Sequence, residues 1–225
     1  MMNSIKLEIA VFNYQSALIA EDSGAERIEL CENYFEGGIT PEIDLIKRVK
    51  NKLKIPIHVI IRPRAGNFIY SNVEFELMKA QILICKELNI NGCVFGLLNS
   101  KNEIDVQRCE ELINLSLPMS TTFHRAFDEC KDRIISLKKI IDCGFQRLLT
   151  SGGKNSVTNG LKEINELIIR SENKIIIIPG GGVRSSNIIE ILNYCNPKEI
   201  HSSAISGKDI IANAVEISKM KKYLS

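Results

Sequence analysis

The sequence predicts an α/β chain folded as a single closed (β/α)8 barrel over residues 1–225. Three observations predict it. Short β-favouring runs alternate strictly with helical patterns, eight times, at a spacing of roughly 25 to 30 residues. Several runs, such as Pro56–Ile61 and Lys174–Pro179, are nearly continuous aliphatic sequence, as strands buried on both faces require. Each run then ends in glycine or polar residues before a new helix, which gathers chemistry at one end of the strands. An open doubly wound sheet is the competing architecture, but such sheets usually hold about five or six strands.

The first strand is read at Lys6–Phe12, with Glu8 between apolar neighbours, and a helix follows over Ser16–Ser23 until Gly24 stops it. The second strand, Glu26–Leu30, carries Glu29 and delivers Cys31 into a loop, ENYFEGGITP, too polar and glycine-rich for either regular element. Thr40 is placed to cap, and Pro41 to open, a helix reaching Leu53. The third strand, Pro56–Ile61, holds His58 and ends in RPRAGNF. Its helix, Asn72–Asn89, carries Phe75, Met78, Ile82, Cys85 and Leu88 at steps of three and four, a core-facing stripe.

A fourth strand, Gly92–Leu97, leads to a helix over Asp105–Leu115. Pro118 opens the fifth unit, whose strand MSTTF ends in His124, Arg125 and Asp128 before a helix at Asp132–Cys143 with Gly144 as its left-handed cap. The last three strands are Gln146–Thr150, Lys174–Pro179 and Lys198–Ser202, running into SGGKNS, GGGVRSSN and SSAISGK. Their helices are read at Val157–Arg170, Ser186–Tyr194 and Asp209–Tyr223.

With 29 Lys and Arg against 27 Asp and Glu, the net charge of +2 gives no reason to expect nucleic acid as a partner. The N-terminal residues lack a basic region followed by a long apolar core, and the longest aliphatic stretch, Ile175–Ile178, is far too short to span a bilayer. A cytoplasmic location with no membrane partner is the expectation. Seven cysteines, an odd number without CxxC spacing, read as reduced and mostly buried thiols.

Barrel active sites lie at the carboxyl ends of the strands, and that selects the candidates. His124 is the first choice for proton transfer or metal ligation, with Asp128 to orient its ring and Glu29 as a second proton carrier. Arg62, Arg64 and Arg125 suggest a carboxylate or phosphate ligand, because guanidinium forks match those groups. Ser151 and Gly152, Gly181 and Gly182, and His201 and Ser202 supply amides and polar side chains in the last three loops, where barrels commonly hold an anion. Glu8, Glu29 and His58 are read as a polar lining beneath the mouth, or else as structural ion pairs. Cys31 is the one cysteine placed firmly on the rim, with Cys130 as a second thiol to consider; HExxH and CxxC metal motifs are absent.

The segments RIELCENYFEGGITP, HVIIRPRAGNFIYS, TTFHRAFD, LLTSGG, IIPGGGVR and EIHSSA, in this order over Glu8–Ala204, resemble the CutC family of copper homeostasis proteins. The resemblance implies a TIM barrel, a cytoplasmic location, a homodimer or higher homo-oligomer, and the handling or binding of copper(I). The family pattern matches at Glu8, Glu29, Cys31, Gly37, Gly38, Thr40 and Pro41, then at Arg62, Pro63 and Arg64. It matches again at His124, Arg125, Asp128, Ser151, Gly152, Gly181, His201 and Ser202. Bacterial members often carry an added segment after the HSSA block, where this chain has only a short ISGK turn. Three functional readings stand open: a copper-binding barrel with Cys31 as ligand, an isomerase or lyase acting on a small anionic metabolite, phosphorylated or not, and a noncatalytic scaffold.

Overall fold

The computed structural model describes residues 5–207 and 209–224; Lys208, in the ISGK turn, lies outside the described residues. The units run β1 (Lys6–Val11), α1 (Tyr14–Asp22), β2 (Arg27–Leu30), α2 (Ile43–Lys52), β3 (Ile57–Ile60), α3 (Asn72–Glu87), β4 (Gly92–Phe95) and α4 (Val106–Ser116). They continue with β5 (Ser120–Phe123), α5 (Arg133–Cys143), β6 (Arg147–Thr150), α6 (Leu161–Arg170), β7 (Ile176–Pro179), α7 (Ile188–Cys195), β8 (Glu199–Ser202) and α8 (Ala214–Leu224). All strand pairs are parallel, in the order β7-β6-β5-β4-β3-β2-β1-β8. β7 and β8 lie against each other across the remaining seam, so the barrel is nearly closed.

Alternation within these buried strands separates two environments. Leu7, Ile9 and Val11 of β1, Ile28 and Leu30 of β2, and Ile57 and Val59 of β3 join the apolar layer under the helices. Their neighbours Glu8, Arg27, Glu29 and His58 therefore point into the barrel, since residues two apart share a face. Helices close the outer layer: in α3, Phe75, Met78, Ile82 and Cys85 are buried, and Leu88 packs at its edge. Asp132 caps α5 by accepting from the amides of Ile134 and Ile135, and Gly144 ends it at φ +97°.

Three expectations fail for tertiary reasons. Thr40 caps no helix; its hydroxyl accepts the Arg62 amide at 2.8 Å and bonds Gln81, while α2 starts at Ile43. The loop after β2 is more ordered than its composition suggests, with a 3-10 turn at Tyr34–Glu36 and a bridge between Glu32 and Ile39. The last helix begins at Ala214 instead of Asp209. Before it, the Ile210 carbonyl accepts from Asn13, the Ala212 amide donates to Ser16, and the Asn213 amide donates to the Ala204 carbonyl. Those bonds satisfy the backbone outside a helix.

Candidate functional site

Inside the barrel, near the start of the strands, lies an ionic layer. Arg27 donates to Glu8 Oε2 and to Glu199 Oε2, each at 2.5 Å, and Arg147 reaches the same Glu199 oxygen at 3.1 Å and bonds Ser120. The register explains the meeting, because Glu8 sits opposite both Arg27 of β2 and His201 of β8. All of Glu8, Arg27 and Glu199 are under a twentieth exposed. Burial alone raises a carboxyl pKa, but the Arg27 charge and the His201 hydrogen bond and charge outweigh it and hold Glu8 well below the usual range.

Above this layer, His201 Nδ1 meets Glu8 Oε1 at 2.7 Å, and its Nε2 lies 3.6 Å from Glu29 Oε2. Burial pulls His201 down, yet the Glu8 hydrogen bond and the two carboxylate charges leave it above its ordinary value. For Glu29 burial wins: its carboxyl is pushed up to about 7, despite the opposing charge of His201. Glu29 and His201 form the floor of a cavity of about 510 Å³ at the carboxyl ends of the strands, a size suited to a small metabolite. A larger cavity of about 990 Å³ opens at the opposite end, beside Lys6, Ile176 and Glu199, away from these groups.

Arg62 and His124 line the cavity higher up, with Phe68 between them. The Arg62 guanidinium lies 5.0 Å from the Phe68 ring centre, and the His124 ring lies 4.8 Å from it. Arg62 is buried, and its hydrogen bonds run to the carbonyls of Glu36, Gly38 and Gly66 at 2.7 to 2.9 Å. Among the described residues its charge is thus met by dipoles and by no carboxylate.

His124 accepts the Ala126 amide on Nδ1 at 3.3 Å, so in the neutral ring the proton resides on Nε2, which has no partner. Burial and the Arg62 charge lower its pKa to about 3. The ring fits because residue 96 is glycine: a Cβ there would stand 2.7 Å from Nδ1 and 2.9 Å from Cε1.

Asp128 does not orient His124. One oxygen, Oδ1, accepts from the Thr150 hydroxyl at 2.5 Å and the Gly153 amide at 2.9 Å. The other, Oδ2, accepts from Arg125 Nε at 2.8 Å and the Ser151 hydroxyl at 2.9 Å. The Ser151 amide also reaches it at 3.2 Å, and Arg125 Nη2 donates to the Ser151 hydroxyl at 2.9 Å. Asp128 is therefore the clamp that shapes the SGG loop after β6.

Of the sequence candidates, Glu29, Cys31, Arg62, His124, Arg125, Asp128, Gly181, Gly182, His201 and Ser202 line this cavity. Glu8 lies beneath its floor. Ser151 is fully buried, its hydroxyl tied to Asp128 and to the Lys154 carbonyl, and Gly152 turns behind the wall. Arg64 leaves the site altogether: it pairs with Glu74 at 2.5 Å and bonds the carbonyls of Asn67 and Ile69. Gly153, selected with Ser151 and Gly152 at the end of the sixth strand, lines the cavity, as do Phe68, Glu36, Lys154 and Asn155, which were not singled out. The only sequence signal for them was membership of the loops after β2, β3 and β6.

Copper(I) would need thiolate and further donors gathered around Cys31. Among the described residues no group of three or more His, Cys, Asp and Glu side chains could hold a metal ion. Cys31 is buried, and burial together with the Glu29 charge holds its thiol well above its ordinary pKa, which disfavours the thiolate that copper(I) prefers. Cys130 does not line the cavity, and its Sγ faces the Ala126 carbonyl at 3.8 Å. All seven cysteines are free and buried. The residues present do not fit a copper centre.

A family model described as the CutC family matches residues 5–206. The chain belongs to the CutC family. It is 42% identical to the Mus musculus copper homeostasis protein cutC homolog over 92% of this chain and 76% of that protein. It is 44% identical to a family protein CutC of Parabacteroides distasonis over 89% of this chain and 83% of the relative. The crystal structure of CutC from Streptococcus agalactiae superposes with a TM-score of 0.85 at 32% identity, covering 90% of this chain and all of that one. Phosphoribosylanthranilate isomerase from Thermotoga maritima shares the fold alone, with a TM-score of 0.64 at 13% identity over 97% of each chain. No helix among the described residues is long and apolar enough to cross a membrane.

Proposed function

We propose that this CutC-family chain binds a small anionic metabolite in the mouth of the barrel and exchanges a proton with it, as an isomerase or lyase does. The observation that carries this reading is the pair Glu29 and His201, 3.6 Å apart on the cavity floor, with the Glu29 carboxyl pushed up to about 7. A carboxyl that titrates near neutrality can take and return a proton at working pH. Arg62 supports an anionic ligand, since a buried cation without a carboxylate partner is better satisfied by an incoming one.

In this reading Glu29 as carboxylate takes a C–H proton beside a ligand carbonyl, and the electron pair moves to the carbonyl oxygen. Return of the proton at the former carbonyl carbon, with the proton of the adjacent hydroxyl passing to the former carbonyl oxygen, completes an isomerisation. Reformation of the carbonyl with expulsion of a leaving group and its electron pair from the carbon on the other side of the deprotonated one completes an elimination. His124, neutral with Nε2–H, serves as a hydrogen-bond donor and not as the base. Gly181, Gly182 and Ser203 stand on the opposite wall for a second anionic group. The relatives' names speak of copper homeostasis, but no step here runs through a metal.

The test is a thermal-shift screen with carboxylates and sugar phosphates. A ligand at 100 times its Kd should add about 2.7 kcal/mol of stability, and that gain should vanish in His201→Asn. Solvent deuterium should then enter the bound ligand with wild-type protein and not with Glu29→Gln. Absence of any shift across the screen would count against the reading. Copper(I) titration of wild type and Cys31→Ser should give the same weak uptake; a stoichiometric site lost in the variant would restore the copper reading. The expected cytoplasmic location and homo-oligomeric state belong to the same proposal and are checked by fractionation and sedimentation.

A further inference from the structure

We infer that Glu8 is a positioning residue for this site: it fixes the Nδ1–H tautomer of His201 and makes the imidazole Nε2 the preferred seat of the proton that His201 and Glu29 have between them. This deepens the proposed proton exchange, and it rests on that reading only for its catalytic consequence. Where the proton sits is a property of the free protein.

The geometry divides the labour of the Glu8 carboxylate cleanly. Oε2 receives Arg27 Nε at 2.5 Å, so that oxygen is held in place from below by a strand neighbour. Oε1 faces His201 Nδ1 at 2.7 Å. A carboxylate so paired accepts only, so the hydrogen of that bond belongs to Nδ1. The other ring nitrogen, Nε2, is then the atom directed at Glu29 Oε2, 3.6 Å away. One proton can lie on either side of that gap: as a carboxylic acid beside a neutral ring, or as a carboxylate beside an imidazolium.

The placement of the fixed charges, and not their sum, favours the second arrangement. The ionised groups that face the pair are Glu8 from β1, Arg27 from β2 and Glu199 from β8, with Arg147 beyond; two guanidiniums meet two carboxylates. His58 from β3 stands 3.9 Å from Glu8 Oε2, and burial keeps it neutral by lowering it to about 3. Cys31, just after β2, stays a thiol, and the Arg62 guanidinium lies above. The negative charge nearest the ring is the oxygen of Glu8 not used by Arg27, 2.7 Å from Nδ1. His201 being held above its ordinary value agrees with this.

The consequence is a division of roles. With its proton on Nε2, His201 is a fixed cation on the cavity floor, and Glu29 beside it is a carboxylate free to receive a proton from a ligand. The arrangement is that of a carboxylate holding a histidine in a serine hydrolase triad, with a second carboxyl in place of the nucleophile.

Histidine-selective 15N labelling tests it, because the chain has three histidines and two of them, His58 and His124, are lowered to about 3. In wild type at pH 7 one ring should show both nitrogens protonated. In Glu8→Gln the amide oxygen can still accept Nδ1–H, but the charge is gone, so the Nε2 signal should move to the unprotonated position at the same pH. Should that variant not fold, Glu29→Gln decides: His201 keeps Glu8 and should stay an imidazolium. A neutral His201 in wild type, an unchanged charge in Glu8→Gln, or complete discharge in Glu29→Gln would each overturn the inference. None of these readings depends on finding a ligand, so they stand apart from the screen above.

Discussion

Replacing Asp128 by alanine should unfold the rim without touching the histidine four residues before it. The carboxylate accepts from Thr150, from the amide and hydroxyl of Ser151, from Gly153 and from Arg125. These donors do not lose equally. The Arg125 side chain is 44% exposed and can turn to water, so its ion pair adds little. Gly153 is half-buried, and the Ser151 hydroxyl already reaches the Lys154 carbonyl at 2.6 Å. The Thr150 hydroxyl, which still accepts the Gly152 amide at 2.9 Å, loses the acceptor for its own proton, and the Ser151 amide loses its acceptor; both belong to fully buried residues.

Two buried orphaned donors at about 1–3 kcal/mol each give a loss of about 4 kcal/mol. For a chain of this length that is a fall in Tm of about 8–16 °C. Differential scanning calorimetry reads it, and Asp128→Asn, which retains one acceptor oxygen, should lose about half as much. The His124 ring signals should stay where they are in both variants. A loss under about 1 kcal/mol, or a displaced His124 tautomer, would refute the view of Asp128 as a loop clamp.

Gly96→Ala should cost about 1–3 kcal/mol by overpacking, because its Cβ would stand 2.7 Å from His124 Nδ1 and 2.9 Å from Phe123 Cε1; a urea midpoint equal to wild type would contradict the packing. Acid should destabilise the fold as pH falls below 6.5: His58 and His124, lowered to about 3 when folded, take up protons on unfolding, so the stability they carry above 6.5 is lost toward their folded values. Asparagine at position 58 should flatten that limb of the stability curve. Glu29 has the opposite sign, since a carboxyl raised to about 7 favours the fold below the ordinary 4.5 and penalises it as pH rises through 7. Glu29→Gln should therefore raise Tm more at pH 8 than at pH 5, and an equal gain at both would count against a raised carboxyl.

The alternation of strands and helices was legible because each strand is short, aliphatic and bounded by turn residues, and because local caps such as Asp132 and Gly144 act within a few residues of where they are read. The inward face was harder. With both faces of every strand buried, hydropathy does not distinguish Leu7 from Ala10; only charged members such as Glu8 and Glu29 betray the interior. Their partners were hidden for a different reason. The pairing of Glu8 with His201 spans 193 residues and depends on β8 closing beside β1, and Asp128 meets its loop 22 to 25 residues onward. Arg64 shows the same limit in reverse: its proximity to Arg62 in sequence placed it on the rim, while Glu74 at the start of α3 draws it away.

The seven buried thiols turn the chain into its own clock. A disulfide reagent too bulky to enter the cavity can modify a buried cysteine only during the moments when the surrounding structure opens, so labelling rates count openings instead of chemistry. Cys31 reports the mouth, Cys93 the barrel wall and Cys195 the end of α7. Three regions of one molecule can thus be timed in a single labelling course followed by peptide mass spectrometry, without introducing a probe.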